Sequence, residues 1–262
     1  MLDRKILIEA IERSDSILPH IPAWNEYITF PGVLLCETPT DHPLANKAMM
    51  ARLDADNVDA TIARVQGYFK ARNKSFGWIV GPGSTPSDLG RRLEARGFVE
   101  HLSADGLFLP EVHAEITANP DVKIQELPLD KLESAVGIMA VGFGIPEAAS
   151  RYFLEMIRRS FPAVRMRSYI AYIDDIGHPV GCGYVAYYPD QPIALLCGGA
   201  TLPDYRGRGI YKTMLAHRLA DIRKDGVESV IVLADQKTSA PICRRHGFAK
   251  ICELHFYVVK NV

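Results

Sequence analysis

The chain has 262 residues, of which 48% are hydrophobic and 23% are charged, with a formal net charge of -1 at pH 7. This length and composition allow one large domain or two ordinary domains, and the balanced charge provides no general attraction for nucleic acid or for an anionic membrane. The five cysteines are scattered and odd in number, and no His cluster has metal-ligand spacing, so we expect neither a disulfide framework nor a metal site. No apolar run approaches the ~20 residues that span a bilayer. A reduced cytoplasmic setting fits best.

The first half of the chain opens with charged and apolar residues typical of an amphipathic helix and not of a signal peptide. Further along, residues 77–99 have the pattern strand, polar turn, short helix, Gly-Phe and strand. Pro110 and Pro120 then flank a polar stretch, which indicates a domain boundary. The sequence therefore predicts two domains, 1–118 and 119–262.

The second half has clearer periodicity, and its predicted order is β-α-α-β-β-β-α-β-α-β. The predicted strands are 122–127, 167–173, 179–188, 192–197 continuing towards 201, 229–234 and 249–260. The predicted helices are 130–141, 147–160, about 210–224 and a short one through Arg244. A turn is predicted at 174–178. This order favours an α/β or α+β domain of ordinary size with a mixed sheet.

The two halves share an internal similarity. Residues 229–251 repeat the pattern of 77–99, and Gly247-Phe248 follows Gly97-Phe98 by 150 positions. A duplicated fold explains this similarity best, although strand–helix–Gly units also recur by chance in α/β proteins.

The most informative segment is the loop that precedes the helix at 210. Glycines at 207 and 209 allow the backbone to turn and to approach a ligand closely. The unpaired N–H groups of a helix N-terminus suit a phosphate, and Arg206 and Arg208 add positive charge. The loop therefore predicts a nucleotide-like cofactor held by its pyrophosphate. The first half has no counterpart of this loop, so one such site is expected.

This loop resembles that of the GNAT superfamily of acetyl-CoA-dependent N-acetyltransferases, whose signature is Arg/Gln-x-x-Gly-x-Gly/Ala. Arg206 and Gly209 match the signature, and Pro203-Asp204-Tyr205 matches a common lead-in. Tyr211 stands where the last small residue is expected. A second family landmark, an Asn-x-x-Ala-x-x-Leu-Tyr-like helix that ends in Gly-Phe, resembles residues 236–248.

That second landmark contains three substitutions relative to the family pattern. Gln236 replaces the usual Asn, Ser239 replaces Ala, and Cys243 replaces Tyr. The resemblance covers about 119–262, and the first half resembles the degenerate N-terminal copy of tandem members. It implies a GNAT fold in two tandem domains, with acetyl-CoA bound as acyl donor by the second domain alone.

The resemblance also implies which residues hold the donor. In the family, the strand before the loop splays from its neighbour and its free backbone groups pair with the pantetheine arm. The corresponding residues here are Gly199, Ala200, Thr201 and Leu202. The pyrophosphate would be held by Arg206, Gly207, Arg208, Gly209, Ile210, Tyr211 and Lys212, and the pantetheine amides would be bonded by Gln236.

Acyl transfer to an amine requires a neutral amine, a stabilised oxyanion and a proton for the leaving thiolate. Cys243 occupies the position of the family's usual proton donor, and its thiol could donate, although buried cysteines are commonly small packing residues. The candidate bases are Asp235, His217 and Tyr184. Each has a structural alternative, helix capping for Asp235 and surface or core packing for the others, and the sequence does not choose among them.

The sequence predicts an acyl-CoA-dependent N-acyltransferase that moves acetyl to a small-molecule or peptide amine. The substitutions at 211 and 243 keep open a CoA-binding sensor with little or no turnover. A third alternative is an interaction protein whose first domain binds a partner. We expect no nucleic-acid or membrane partner, and the sequence does not indicate an oligomeric state.

Overall fold

A computed structural model describes residues 2–110, 116–173, 177–227 and 229–259. The elements of the first half are α1 Arg4–Glu12, β1 Glu26–Phe30, β2 Val33–Glu37, β3 Lys47–Met49, α2 Val58–Lys70, β4 Gly77–Val80, α3 Leu89–Glu94 and β5 Phe98–Leu109. Those of the second half are β6 Val122–Leu127, α4 Glu133–Phe143, α5 Glu147–Ser160, β7 Met166–Ile173, β8 Gly181–Tyr187, β9 Ile193–Thr201, α6 Ile210–Lys224, β10 Ser229–Asp235, α7 Ser239–Arg245 and β11 Ala249–Val259.

The element order predicted for the second half agrees with this structure. The predicted first helix of that half begins three residues later than expected, because residues 129–131 form a 3-10 turn. The predicted turn at 174–178 and the predicted end of the last strand at 260 lie partly outside the described residues. Part of the predicted linker, 111–115, also lies outside them, and the boundary at 118/119 stays a prediction.

All eleven strands of the described residues form one mixed sheet with the order β1-β2-β3-β4-β11-β5-β10-β9-β8-β7-β6. The parallel pairs are β3 with β4 and β9 with β10, and the other neighbours are antiparallel. The predicted mixed α/β architecture is thereby confirmed. No helix of the described residues is long and apolar enough to cross a membrane.

The two halves exchange their last strands. The crossover β10–α7–β11 leaves a gap one strand wide, and β5 of the first half fills it by pairing with both strands. The crossover β4–α3–β5 leaves the same gap, and β11 of the second half fills it. Each half therefore completes the sheet of the other.

The pairing of β5 with β11 agrees with the sequence repeat. Ala104 pairs with Leu254, a separation of 254 minus 104, or 150 positions, the same as that between the two Gly-Phe motifs. A residue paired with its own equivalent lies on the pseudo-twofold axis between the halves. Gly97 and Gly247 both have positive φ, +87° and +91°, as helix-ending glycines do.

The sheet carries helices on both faces. Alternate residues of β9 point to opposite faces, so that Ala194 and Leu196 pack with α6 and α7 while Ile193 and Leu195 pack with α1. Helices α4 and α5 cover the outer part of that second face, in a separate apolar cluster.

Candidate functional site

The predicted cofactor loop lies between the end of β9 and the start of α6. A short 3-10 turn at Pro203–Tyr205 follows the strand, and Gly209 is the N-cap of the helix. Gly207 and Gly209 both have φ of +77°, a left-handed conformation that strains any residue with a Cβ atom. The Asn119 side chain donates to the carbonyl of Arg208 over 2.9 Å and holds the loop from its outer side. The free N–H groups of the first turn of α6 therefore lie in a fixed loop.

The parallel strands β9 and β10 separate beside this loop. Their pairing runs from Ile193–Ser229 to Leu196–Val232 and ends there, although β9 continues to Thr201. On its other side β9 remains paired with β8 as far as Thr201. Four residues predicted to face the pantetheine arm therefore lie at or beyond the opened end of the strand pair, namely Gly199, Ala200, Thr201 and Leu202. The hydroxyl of Thr201 is buried there without a hydrogen-bond partner among the described residues.

The loop is surrounded by positive charge. Arg206 and Arg208 are exposed, and neither they nor Lys212 form an ion pair among the described residues. Arg206 donates to the Thr201 carbonyl over 3.4 Å. Burial lowers the pKa of His246, and the charges of Lys212 and Arg245 lower it further. Unneutralised cations next to free helix N–H groups provide the electrostatics that a pyrophosphate requires.

Tyr211 fills the space beneath the opened strands. A Cβ atom on Gly199 would lie 3.1 Å from the Tyr211 ring, so the ring packs directly on that strand. Its hydroxyl lies 3.8 Å from the sulfur of Cys243 on α7. Cys243 is fully buried, and burial raises the pKa of both its thiol and the Tyr211 phenol. Both groups therefore remain protonated at neutral pH.

A buried arginine lies next to this tyrosine. Arg218 of α6 is 1% exposed, and its guanidinium donates to the carbonyls of Tyr184 and Met214, over 3.2 and 3.4 Å. It has no carboxylate partner among the described residues. Burying a cation in this way is costly unless an anion or a set of dipoles compensates it. Arg218 is not predicted from the sequence, although its place on the apolar face of α6, between Leu215 and Leu219, is a detectable signal.

The other predicted residues occupy defined positions. Gln236 donates over 3.0 Å to Asp105 of the first half, which also pairs with Arg244 and with Lys250. Asp235 accepts hydrogen bonds from the backbone N–H groups of residues 237 and 238 and so caps the turn before α7. Asp105 is fully buried and was also missed. An acid within the apolar strand segment 104–109 is the signal that could have found it.

Two candidate bases lie on opposite faces of the sheet. His217 is partly exposed on α6, with its Nε2 atom 3.4 Å from Asp221. Tyr184 is 2% exposed on β8, and burial raises its pKa well above the ordinary value. Neither the Tyr184 hydroxyl nor that of Ser168 on β7 has a hydrogen-bond partner within the described part of the chain. The described residues contain no group of three or more His, Cys, Asp or Glu that could hold a metal ion.

The residues at the opened strand pair fit a thioester of coenzyme A. The two left-handed glycines, the exposed arginines Arg206 and Arg208, and the unpaired Thr201 hydroxyl all belong to the segment from the end of β9 to the start of α6. Arg206 to Lys212 would hold the pyrophosphate, and Gly199 to Leu202 would hold the pantetheine arm. In the first half, the segment between β3 and α2 carries Asp54 and Asp56 and no glycine, so it would repel a phosphate.

The splayed strands, the glycine loop and the mixed sheet together define a GNAT-type domain. Residues 140–248 match the model of the acetyltransferase (GNAT) family. This match agrees with the resemblance to the GNAT superfamily over that part of the chain, and it supports acyl transfer in general. No curated protein sequence matches the chain.

Several solved structures share the fold over almost the whole chain. A GCN5-related N-acetyltransferase from Kribbella flavida is 14% identical, covers 99% of this chain and 96% of its own, and superimposes with a TM-score of 0.69. A tandem GNAT protein from the clavulanic acid biosynthesis pathway, solved without AcCoA, is also 14% identical, with coverage of 99% and 95% and a TM-score of 0.61. At such identities the likeness concerns the fold, and it confirms the predicted tandem GNAT architecture.

Proposed function

We propose that the protein transfers an acyl group, most simply acetyl, from an acyl-CoA to an amine within one ternary complex. The observation that carries this proposal is the glycine loop at the N-terminus of α6 next to the opened end of β9 and β10. In the reaction the amine nitrogen bonds to the thioester carbon, the carbon–sulfur bond breaks, and the amine's extra proton finally resides on the released thiol. The bound donor supplies an activated acyl carbon.

The chain's own residues would position and polarise the reactants. Backbone N–H groups around Gly199 to Thr201 are the available donors for the oxyanion. Arg218 lies directly behind that strand, 3.6 Å from the position of a Gly199 Cβ atom. Its positive charge favours negative charge that develops on the strand side of the opened pair.

The test is a screen of amine pools with acetyl-CoA that measures the release of free CoA thiol. We expect release that depends on both the amine and the intact protein. If no pool releases thiol while CoA still raises the melting temperature, the protein binds the donor without turnover. If CoA does not raise the melting temperature even at high concentration, the central proposal fails.

A second candidate function, a CoA-binding sensor, is favoured by one observation. The Tyr211 ring occupies space against Gly199 where the family has a small residue, which restricts the room for a reacting thioester. The same screen separates the two functions, because a sensor binds CoA and releases no thiol.

A further inference from the structure

A cavity of about 390 Å³ lies between the two halves, on the face of the sheet opposite α6. Its second-half wall comes from α4, α5 and the strands β7 to β11, and its first-half wall from β2 to β5 and the segment after α1. Most of the lining is apolar, with Met139, Met156, Leu195, Leu254 and Phe256 as representatives. We call this space the inter-half cavity. Its volume is typical of a small-molecule site and far exceeds the needs of an acetyl group.

The inter-half cavity meets the cofactor loop at the opened strand pair. Cys197, Gly198 and Leu233 line it, and they immediately follow Leu196 and Val232, the last residues paired between β9 and β10. Gly198 has φ of +57°, and a Cβ atom there would lie 2.4 Å from the Tyr184 ring. The backbone therefore approaches Tyr184 as closely as a glycine allows. A group that passes between the separated strands arrives in this cavity.

Two of the lining side chains, Tyr184 and Asp15, have unused hydrogen-bonding capacity. The Tyr184 hydroxyl is buried without a partner among the described residues. Asp15 is the one carboxylate among the lining residues, and its Oδ1 atom pairs with Lys47. No bond to its Oδ2 atom occurs within the described parts of the chain. Cys197, at the strand opening, lines the same cavity as Asp15. Burial raises the pKa of the Cys197 thiol to about 11, the charge of Arg218 lowers it, and that of Asp15 raises it.

These features favour a particular kind of ligand. Lys47 pairs with one oxygen atom of Asp15, and the other can accept a hydrogen bond from an ammonium group. Phe143, Phe153 and Phe256 are among the lining residues, and aromatic rings attract cations. The surrounding methionine, leucine and isoleucine side chains exclude water and favour an alkyl or aryl group. A fatty acyl chain has no hydrogen-bond donor for the free oxygen atom of Asp15, and it would cover that atom with hydrocarbon, which is costly.

We propose that the inter-half cavity binds the acceptor as an amine with an apolar body, whose nitrogen is held by Asp15 from the first half. This proposal rests on the acyl transfer proposed above. The first half thereby supplies the acidic residue that the strand 193–201 of the second half lacks. The Tyr184 ring closes the inner end of the cavity, next to Gly198 and the opened strands.

The test uses the full chain and calorimetric titration with n-hexylamine, ethanolamine and 1-hexanol. We expect n-hexylamine to bind at least 10-fold more tightly than either of the others, because it alone has both the charge and the apolar body. Asp15→Asn should make the affinity for n-hexylamine equal to that for 1-hexanol. Asp56→Asn, at an exposed first-half position, should leave both affinities unchanged. Ala45→Phe should weaken the binding of n-hexylamine and of 1-hexanol alike, since Ala45 lines the cavity. Melting temperatures of the variants verify folding.

Thiol release from acetyl-CoA with the same amines separates this proposal from the proposed function. Release with ethanolamine at least as fast as with n-hexylamine would support acyl transfer and overturn the apolar-amine site. Tight n-hexylamine binding without any thiol release would leave the amine site standing and contradict acyl transfer. Faster turnover with hexanoyl-CoA than with acetyl-CoA, inhibited by n-hexylamine, would assign the cavity to the acyl chain and overturn the proposal.

Discussion

The Tyr211 hydroxyl lies 3.8 Å from the Cys243 sulfur, so the two main departures from the family pattern are in contact with each other. A large side chain stands where the family has a small one, and a small side chain stands where the family has tyrosine. The phenol ring projects from α6 across Gly199 towards α7. The two substitutions therefore compensate in volume, and they should be considered as one change.

This compensation predicts coupled stabilities. Cys243→Tyr alone should overpack a fully buried position and lower the free energy of unfolding by about 1–3 kcal/mol. Tyr211→Ala alone should also destabilise, because it leaves a cavity next to Gly199. In the double variant the two losses should fall short of their sum by at least ~1 kcal/mol in urea unfolding. Strict additivity would show that the two side chains do not share one space.

The same pair predicts which group protonates the leaving thiolate. We expect Tyr211→Phe to lower turnover about 10-fold or more, with Cys243→Ala closer to wild type, because the Tyr211 side chain is partly exposed beside the opened strands whereas Cys243 is fully buried. Burial raises the pKa of both groups, so turnover should not decline between pH 7 and 8.5 through loss of the donor. The measurement is the rate of CoA release across this pH range. If Cys243→Ala abolishes turnover and Tyr211→Phe leaves it unchanged, the proton donor is the Cys243 thiol.

The cations of the loop predict a salt-dependent donor affinity. Replacing Arg206 and Arg208 together by Ala should weaken CoA binding by 10-fold or more, because neither has a competing carboxylate among the described residues. The loss should shrink as ionic strength rises. Arg91→Ala, an exposed arginine on α3, is the matched control. If calorimetric titration gives the double variant and Arg91→Ala the same affinity for CoA, the phosphates do not bind at this loop.

The buried carboxylate between the halves predicts a large loss of stability. Asp105 is fully buried and pairs with Arg244, Lys250 and Gln236. Asp105→Asn should lower the free energy of unfolding by about 2–4 kcal/mol, since it breaks a buried pair whose cations still reach water. Urea unfolding of this variant and of the exposed Asp54→Asn makes the comparison. A loss no larger than that of the control would mean that the network contributes nothing to the joining of the halves.

Glu100 predicts an acid-sensitive contribution at the same junction. Hydrogen bonds from Ser103 and from His255, the latter at 3.0 Å, lower its pKa. A carboxyl whose pKa is lower in the folded state stabilises the fold above its unfolded pKa of ~4.3, and this contribution disappears as the pH falls through the folded value. Glu100→Gln should therefore flatten the loss of stability below pH 5. The measurement is the melting temperature of the wild type and of Glu100→Gln between pH 3 and 7. If both melting temperatures fall in parallel with pH, Glu100 does not provide the acid-sensitive contribution.

The sequence predicts local features well where a short pattern determines them. The order of elements from β6 to β11, the glycine loop and the helix-ending Gly247 all follow from periodicity and backbone preference. The exchange of β5 and β11 does not, because a strand's alternation records which face is buried and not which strand lies beside it. Asp15 was missed for the same reason, since it joins the inter-half cavity only through the packing of the two halves.

The exchanged strands imply that the polypeptide is a swapped dimer joined into one chain. A protein cut between β5 and β6 would yield two fragments, each with a vacant slot inside its sheet that the partner fragment's terminal strand fits. Neither fragment would make a good independent unit, because an open slot exposes unpaired backbone groups. Mixed together, they have the complementarity required to reassemble without a covalent link. The loop on α6 would then be functional only in the reconstituted pair.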